Sequence, residues 1–542
     1  MVLASPSLLV AASLVLSSAP AGLSASPTVF ENPAKGVAST ARTSVTEPSA
    51  TSISLDFGAP SDLDAEGLPD SLVGALARDV GIDGDSYLRQ ADAAAAATAI
   101  LPDLKAVGLG EDAIEVDADG HLIINVDTAA QEKRVRELAD RLGAQTDAVP
   151  RPEPLPEPPV PPILTPMIGH LNPSLIMGPF AAARKSSKLP DAGSAYVTAD
   201  WSVCTLAFWG HNSKGKSIAL TAGHCDHTGR VKTTTMAGTR PFSTHGTPDK
   251  SLGRFSRSNY GRGSDFAVIN AQNGKATAPA RVKKWSGSSS LPIRGVVNPI
   301  VGATVCKSGA TTGWTCGQIK ALPREYELAD VNRPRVNGFA TTMCSGPGDS
   351  GAPVVSGRYA VGILSFGSYR LRDGDGPKSC DFSTQVKRFL DEMLPMYPTD
   401  QQDALRKIMK ESPEQMILTG VHPLTGEDGA SAFASLGSSF KLSAYVPTPT
   451  VKKAVAQKAK GTTISGKVAL EGASPSDYTV KVSLGKKSMT ARVKANGKFS
   501  VKVPSAKSAQ KYTVTVTPNA ADAADPTVRV VPARASGKTS AK

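Results

Sequence analysis

The chain of 542 residues carries six cysteines, and all of them lie between positions 204 and 380: Cys204, Cys225, Cys306, Cys316, Cys344 and Cys380. An even number crowded into one stretch reads as a disulfide framework, so that stretch must fold with its segments close enough to cross-link. Six cysteines allow many pairings, and spacing does not choose among them. A zinc site is the rival reading, and it lacks a Cys-x-x-Cys pair.

The texture of the chain changes where the cysteines begin. From about 191 to 395 the sequence is a series of short β-like runs among many glycines. "SIALTAG", "DFAVIN" and "YAVGILSFGS" are strand-like. Numerous short strands at close spacing predict an all-β barrel or sandwich. "STQVKRFLDEML" then reads as a closing helix.

The flanks are built differently. Residues 26–60 are polar and read as irregular. Residues 70–148 read as a small α/β unit, with a long Ala-rich helix ended or kinked near Pro102, a strand in "GHLIINVD" and an amphipathic helix in "AAQEKRVRELADRLGA". "PRPEPLPEPPVPP" follows as an extended spacer, within a linker and processing region over 151–190. Residues 396–458 read as a linker with one helical stretch, "TDQQDALRKIMKE". Residues 459–533 alternate β-formers with polar residues and predict a small β-sandwich, with a hairpin at Asn496-Gly497. Residues 534–542 read as a basic tail.

Charge and the N-terminus bear on location. The formal net charge is +12, and the region from Val451 onward supplies it, so the remainder is close to neutral. A basic C-terminal unit reads either as one that meets anionic surface polymers such as wall teichoic acids, by charge rather than through a pocket, or equally as a spacer with a solvated basic face. Nucleic acid is not expected, since no recognition motif or aromatic interleaving accompanies the lysines. Residues 1–25, with the apolar run "SLLVAASLVLSSAPAGLSA" and an A-x-A site at Ala19-Pro20-Ala21, read as an export signal, although "MVLASPS" lacks the usual positive residues. The run is short for a bilayer span, so no transmembrane segment is expected and the product should be secreted, extracellular or wall-associated.

Within the cysteine-rich region three short motifs carry chemistry. A serine hydroxyl is a poor nucleophile at neutral pH and needs a base in contact, an acid to orient that base, and donors for the oxyanion. "LTAGHC" puts His224 after an apolar run, "GSDFAVI" puts Asp265 at the mouth of another, and "GPGDSG" puts Ser350 in a Gly-lined loop. The amides of Gly348 and Ser350 could converge on one oxygen there. Each residue alone is an ordinary packed or turn residue. Together they predict acyl transfer without metal or cofactor.

The order His, Asp, Ser and the flanks "TAGHC", "CKSGATTGWTCG" and "CSGPGDSG" resemble the chymotrypsin-like serine peptidases, above all the bacterial streptogrisin and α-lytic protease group. The resemblance covers about 195–392. It implies a mainly β protein: a double β-barrel catalytic domain, preceded by a small α/β pro-region and followed by the β-sandwich. It implies the disulfides Cys204–Cys225, Cys306–Cys316 and Cys344–Cys380, and a pro-region that aids folding and inhibits until cut. It also places Thr342, Met343, Ser365, Phe366 and Gly367 around the substrate pocket. No acidic residue falls at the basal position of trypsin-like members, so apolar P1 side chains are expected; Asp381 is the one residue placed to favour Lys or Arg instead.

The chain departs from the family in three places. It lacks the I-V-G-G-like start whose amine pairs with the aspartate before the serine in animal members. Where the bacterial group has an arginine after the first cysteine of the short loop, this chain has Lys307. A Lys307–Asp349 pair is the expected anchor of the oxyanion loop, without a bidentate fork. Ala352 stands where glycine is commoner. Two rival functions share these residues: a non-catalytic surface-binding protein on a protease fold, and an esterase-like hydrolase.

Overall fold

The computed structural model describes residues 51–57, 67–153, 164–170, 188–198, 202–226, 232–236, 248–283, 285, 290–330, 332–367, 418–426, 431–445, 450–451, 455–457, 461–468, 478–485, 487–494, 496–503, 509–518, 528–530 and 533–539. All of them fall within one compact unit, Ala50–Lys542. The expected export signal, both helices expected between 383 and 411, Cys380 and Asp381 lie outside the described residues.

The N-terminal unit is a four-stranded antiparallel sheet with helices packed on it. Its elements are β1 (Thr51–Asp56), α1 (Asp70–Asp79), α2 (Gly84–Lys105), β2 (Ile114–Val116), β3 (Leu122–Val126), α3 (Ala129–Leu142) and β4 (Gln145–Pro150). Strand order is β2-β3-β1-β4. β1 is thus a central strand inside the stretch expected to be irregular. Its Ile53 and Leu55 point into the core, a period-two signal diluted by the Ser/Thr-rich residues around it. α2 begins at the Asp83 cap, whose carboxylate accepts from the Ser86 amide, and runs through Pro102 to Lys105. α3 begins in a capping box between Thr128 and Gln131.

Short strands β5 (Thr165–Pro166) and β6 (Gly169–His170) lead to the cysteine-rich region. There β7 (Ala195–Val197), β8 (Ser202–Thr205), β9 (Trp209–His211), β10 (Ser217–Thr221), β11 (Lys232–Met236), β12 (Pro248–Gly261) and β13 (Ser264–Ala271) form one antiparallel sheet, ordered β9-β10-β13-β12-β11-β7-β8. Phe208, Leu220, Phe255, Phe266 and Ile269 fill its core.

After β14 (Arg281–Val282), β15 (Leu291–Pro292) and β16 (Gly295–Val296) come β17 (Thr304–Gly309), β18 (Gly313–Glu327), β19 (Arg335–Thr341), β20 (Pro353–Ser356), β21 (Tyr359–Gly367) and β22 (Thr419–Pro423). These six close into a barrel, β20-β17-β18-β19-β22-β21, with β21 pairing both β20 and β22. β22 is the strand that completes it, so the span 396–458 holds structure where a linker was expected. β23 (Lys441–Ala444) likewise pairs β9 of the first sheet. Both strands are short, nearly all buried and without alternation, which leaves no amphipathic pattern to detect.

The C-terminal region has two four-stranded sheets over one apolar cluster that includes Ile464, Val482, Phe499 and Val514. The strand Lys498–Val503 alternates exposed and buried, as a half-buried strand should. The Asn496-Gly497 turn forms, with Gly497 at φ +73°. It does not make a hairpin: Lys487–Ala491 and Lys498–Val503, on its two sides, belong to different sheets. The expected basic tail includes an edge strand, Ala533–Lys538, paired with Lys511–Pro518.

The N-terminal unit packs against the barrel of β17–β22. An Arg78 guanidinium nitrogen donates to the Trp314 carbonyl and Asp79 accepts from the Cys316 amide, at 2.9 Å each. Tyr87 donates to the Val355 carbonyl at 3.1 Å, and Gln90 accepts from the Thr304 amide at 3.0 Å.

Candidate active site

The site lies where the first sheet meets the closed barrel, and each side chain is carried at or between strand ends. His224 sits in a single 3-10 turn, Gly223–Cys225, directly after β10. Asp265 is the second residue of β13, a strand buried over most of its length. Ser350 lies in the turn between β19 and β20. His224, Asp265 and Ser350 are all buried.

The structure brings the three together. His224 Nε2 lies 2.6 Å from Ser350 Oγ, and Nδ1 lies 2.8 Å from Asp265 Oδ2. The His224 amide donates to Asp265 Oδ1 at 2.9 Å. Two contacts add to those the sequence indicated. The Ser365 hydroxyl also donates to Asp265 Oδ2, and the Tyr260 ring lies over the imidazole, 5.5 Å between centroids. Burial alone would raise the Asp265 carboxyl. The adjacent imidazole and the hydrogen bonds from His224 and Ser365 outweigh it and hold the group below the usual carboxylate range. Asp265 is therefore ionised at neutral pH and keeps a proton on Nδ1, leaving Nε2 free to accept one.

The amides of Gly348 and Ser350 converge. Both donate to one oxygen, the carbonyl of Met167, at 2.7 and 3.0 Å. Gly348 holds φ at +101°, a conformation that side-chain-bearing residues rarely adopt, and a Cβ there would run into Thr311 Oγ1.

Asp349 anchors this loop from behind. Lys307 Nζ lies 3.1 Å from its Oδ2, and neither side chain is exposed. Burial pushes the Lys307 ammonium below its ordinary value, against the pull of Asp349. The lysine does not act alone. Asp349 also accepts from the amides of Thr311, Thr312 and Gly346 and from the Thr312 hydroxyl, at 2.6–3.1 Å. The tip of the β17–β18 hairpin thus supplies by backbone and hydroxyl what a planar guanidinium would supply by its fork. "ATTGW" was the available signal, a tight turn with two hydroxyls next to the lysine strand.

The expected pocket residues divide. Met343 is buried in an apolar cluster that also holds Met167 and Leu364. Phe366 packs on Tyr326 at 5.0 Å between ring centroids, and Gly367 borders Met167. Ser365 offers its carbonyl to Met167 but spends its hydroxyl on Asp265. Thr342 turns its hydroxyl to the Gln318 amide of β18. Ser345 and Thr419, joined at 2.9 Å, enter this wall unexpectedly, Thr419 because β22 was read as linker.

Two of the three implied disulfides link described residues: Cys204–Cys225, which ties β8 to the histidine turn, and Cys306–Cys316, directly opposite in the β17–β18 register. Cys344 is disulfide-bonded, and Cys380 lies outside the described residues. One group among the described residues could gather a cation, Asp117, Asp119 and His121 on the β2–β3 turn. Asp117 there accepts from the amides of Asp119 and His121, which shapes the turn.

A hydroxyl, an imidazole and a carboxylate held in line between two antiparallel β-sheets, one of them closed into a barrel, mark the chymotrypsin-like serine peptidases. Comparison with known proteins agrees: residues 187–392 match the trypsin family model. Serine protease 2 of Streptomyces fradiae is 35% identical over 185 residues, 34% of this chain and 97% of that protein. Streptogrisin-C of Streptomyces griseus is 33% identical over 183 residues, and the match spans only 36% of its length. Among solved structures, the chymotrypsin of Cellulomonas bogoriensis is 32% identical, over 33% of this chain and 83% of that one, with a TM-score of 0.26. The chain belongs to the trypsin family of serine endopeptidases, close to the streptogrisin group.

Proposed function

We propose that the protein is a secreted endopeptidase that hydrolyses peptide bonds through Ser350. The observation that carries this reading is the contact of His224 with both Ser350 Oγ and Asp265, beside two amides aimed at one carbonyl oxygen. His224 takes the Ser350 proton as Oγ attacks the peptide carbonyl, then gives it to the leaving amine. Asp265 holds the imidazole tautomer and stabilises the cation. The Gly348 and Ser350 amides meet the developing oxyanion, a contribution of roughly 2.7–4 kcal/mol per donor. Water, activated by the same histidine, then releases the acyl group.

In this reading the unit containing α1 and α2 is a pro-region. Its hydrogen bonds to Trp314, Cys316, Val355 and Thr304 support the assignment, because they brace strands of the barrel that carries the oxyanion loop. A barrel closed by strands as distant in sequence as β19 and β22 folds slowly unaided, and a docked template shortens that search.

The test is labelling with a fluorophosphonate probe followed by mass spectrometry, with Ser350→Ala as control. An adduct on Ser350 together with casein hydrolysis supports the endopeptidase. An adduct with turnover of simple esters alone supports the esterase-like reading. No adduct on folded, processed protein overturns the enzyme reading and leaves a binding protein on a protease fold.

A further inference from the structure

Residues 164–170, "LTPMIGH", cross the cleft as an extended strap, and their described backbone pairings have the register of a substrate. On one side of Met167, β5 pairs antiparallel with β21, Pro166 opposite Phe366 and Thr165 opposite Gly367. On the other side, β6 pairs antiparallel with β8, Gly169 opposite Val203 and His170 opposite Ser202. Between the two pairings lies one peptide bond whose carbonyl oxygen accepts from both the Gly348 and the Ser350 amides. The Met167 amide faces the Ser365 carbonyl at 3.4 Å.

The side chains agree with the backbone. Met167 is fully buried, in the same cluster as Met343 and Leu364. Its methyl lies so close to Gly367 that a Cβ there would come within 2.6 Å of it. Leu164 is buried in the cluster of Tyr326, Leu328 and Phe366, with its carbonyl accepting from the Ala329 amide at 2.7 Å. Two strands flanking a bond, a filled apolar pocket and a doubly donated carbonyl are what positions a scissile bond.

We propose that Met167–Ile168 is a bond this enzyme cuts in its own chain, and that its substrates share the strap's pattern: an unbranched apolar residue at P1, proline at P2 and leucine at P4. The proposal rests on the serine endopeptidase reading and names its substrate class. In the step, Ser350 Oγ bonds to the Met167 carbonyl carbon while His224 Nε2 takes the hydroxyl proton. The Met167–Ile168 C–N bond then breaks and that proton goes to the Ile168 nitrogen. Water attacks the resulting ester, leaving a carboxylate on Met167 and the hydroxyl restored on Ser350. Until the cut, the strap blocks the cleft to other peptides.

The test uses the full chain, wild type beside Ser350→Ala, with fragment masses followed over time from first folding. The expected result is an N-terminal fragment ending at Met167 and a partner beginning at Ile168, both absent from Ser350→Ala. Later trimming of the new end does not erase the fragment that ends at Met167. A second readout needs no variant of the strap: kcat/KM on acetyl-Leu-Thr-Pro-X-anilides is expected to be on the order of 100-fold higher for X = Met than for X = Asp or Lys, because a buried apolar pocket leaves a charge unpaired. An enzyme that takes the fluorophosphonate label and cuts casein, yet leaves no fragment ending at Met167 and does not prefer Met over charged residues, overturns the proposal while the endopeptidase reading stands. Loss of labelling and of casein cleavage together overturns both.

Discussion

The Lys307 ammonium and the Asp349 carboxylate meet at 3.1 Å with neither side chain exposed, immediately behind Ser350. Removing the ammonium leaves Asp349 buried with hydrogen-bond donors but without its counter-charge. Lys307→Met should therefore cost about 3–5 kcal/mol of stability and lower kcat more than it raises KM, since the Gly348 and Ser350 amides depend on this loop. Lys307→Arg keeps the charge and should retain most of the activity. Thermal unfolding beside steady-state kinetics checks both, and an unchanged kcat in Lys307→Met removes the role given to the pair.

Gly348 combines a positive φ with a close neighbour in Thr311. Gly348→Ala should move its amide out of line and reduce kcat by on the order of a hundredfold or more, the usual effect of losing one oxyanion donor. Binding of a peptide aldehyde, which forms the same oxyanion, should weaken in parallel.

Arg78 and Asp79 touch the barrel at Trp314 and Cys316. Neither falls within the residues 187–392 that match the trypsin family. The pair Arg78→Ala and Asp79→Ala should lower the yield of active enzyme while leaving kcat per labelled Ser350 unchanged. Titrating active sites with the fluorophosphonate separates yield from turnover.

His422 on β22 is buried, stacked on Phe266 at 5.9 Å, with Nδ1 donating to the Asn337 carbonyl at 3.0 Å. Burial pushes its imidazole below the ordinary value of about 6.5. The folded state resists a proton that the unfolded chain accepts, so stability falls as pH drops below that ordinary value and levels off once pH passes below the folded one. His422→Gln keeps a donor without the titration. Its urea midpoint should fall less between pH 7.5 and 5.5 than that of the wild type.

The C-terminal sheets display Lys481, Lys487, Lys494, Lys498 and Lys502 to solvent. We expect retention on a polyanion such as heparin that weakens steeply with salt. Replacing Lys494, Lys498 and Lys502 with serine should move elution to lower salt without changing peptide hydrolysis.

The residues of the site were legible because the chemistry restricts them. "TAGHC" and "SDFAVI" each put one functional group at the end of a strand, "GPGDSG" puts one in a Gly-lined loop, and the six cysteines mark the same span. β1, β22 and β23 were not legible. β1 is a good alternating strand hidden among serines and threonines. β22 and β23 are nearly all buried and too short for periodicity. The Asn496-Gly497 turn misled because a local turn does not say which strands will pair beyond it. The strap escaped notice for another reason: "LTPMIGH" has no helix or strand signature of its own, and its conformation is imposed by β21 and β8.

The bonds from Arg78, Asp79, Tyr87 and Gln90 to the barrel all join parts of one chain. While that chain is whole, they form at the high effective concentration a tether provides. Once it is cut at Met167, the same bonds become an ordinary encounter between two molecules. Activity then depends on volume: a crowded batch of cut protein stays largely self-occupied, and dilution frees it without any second cleavage.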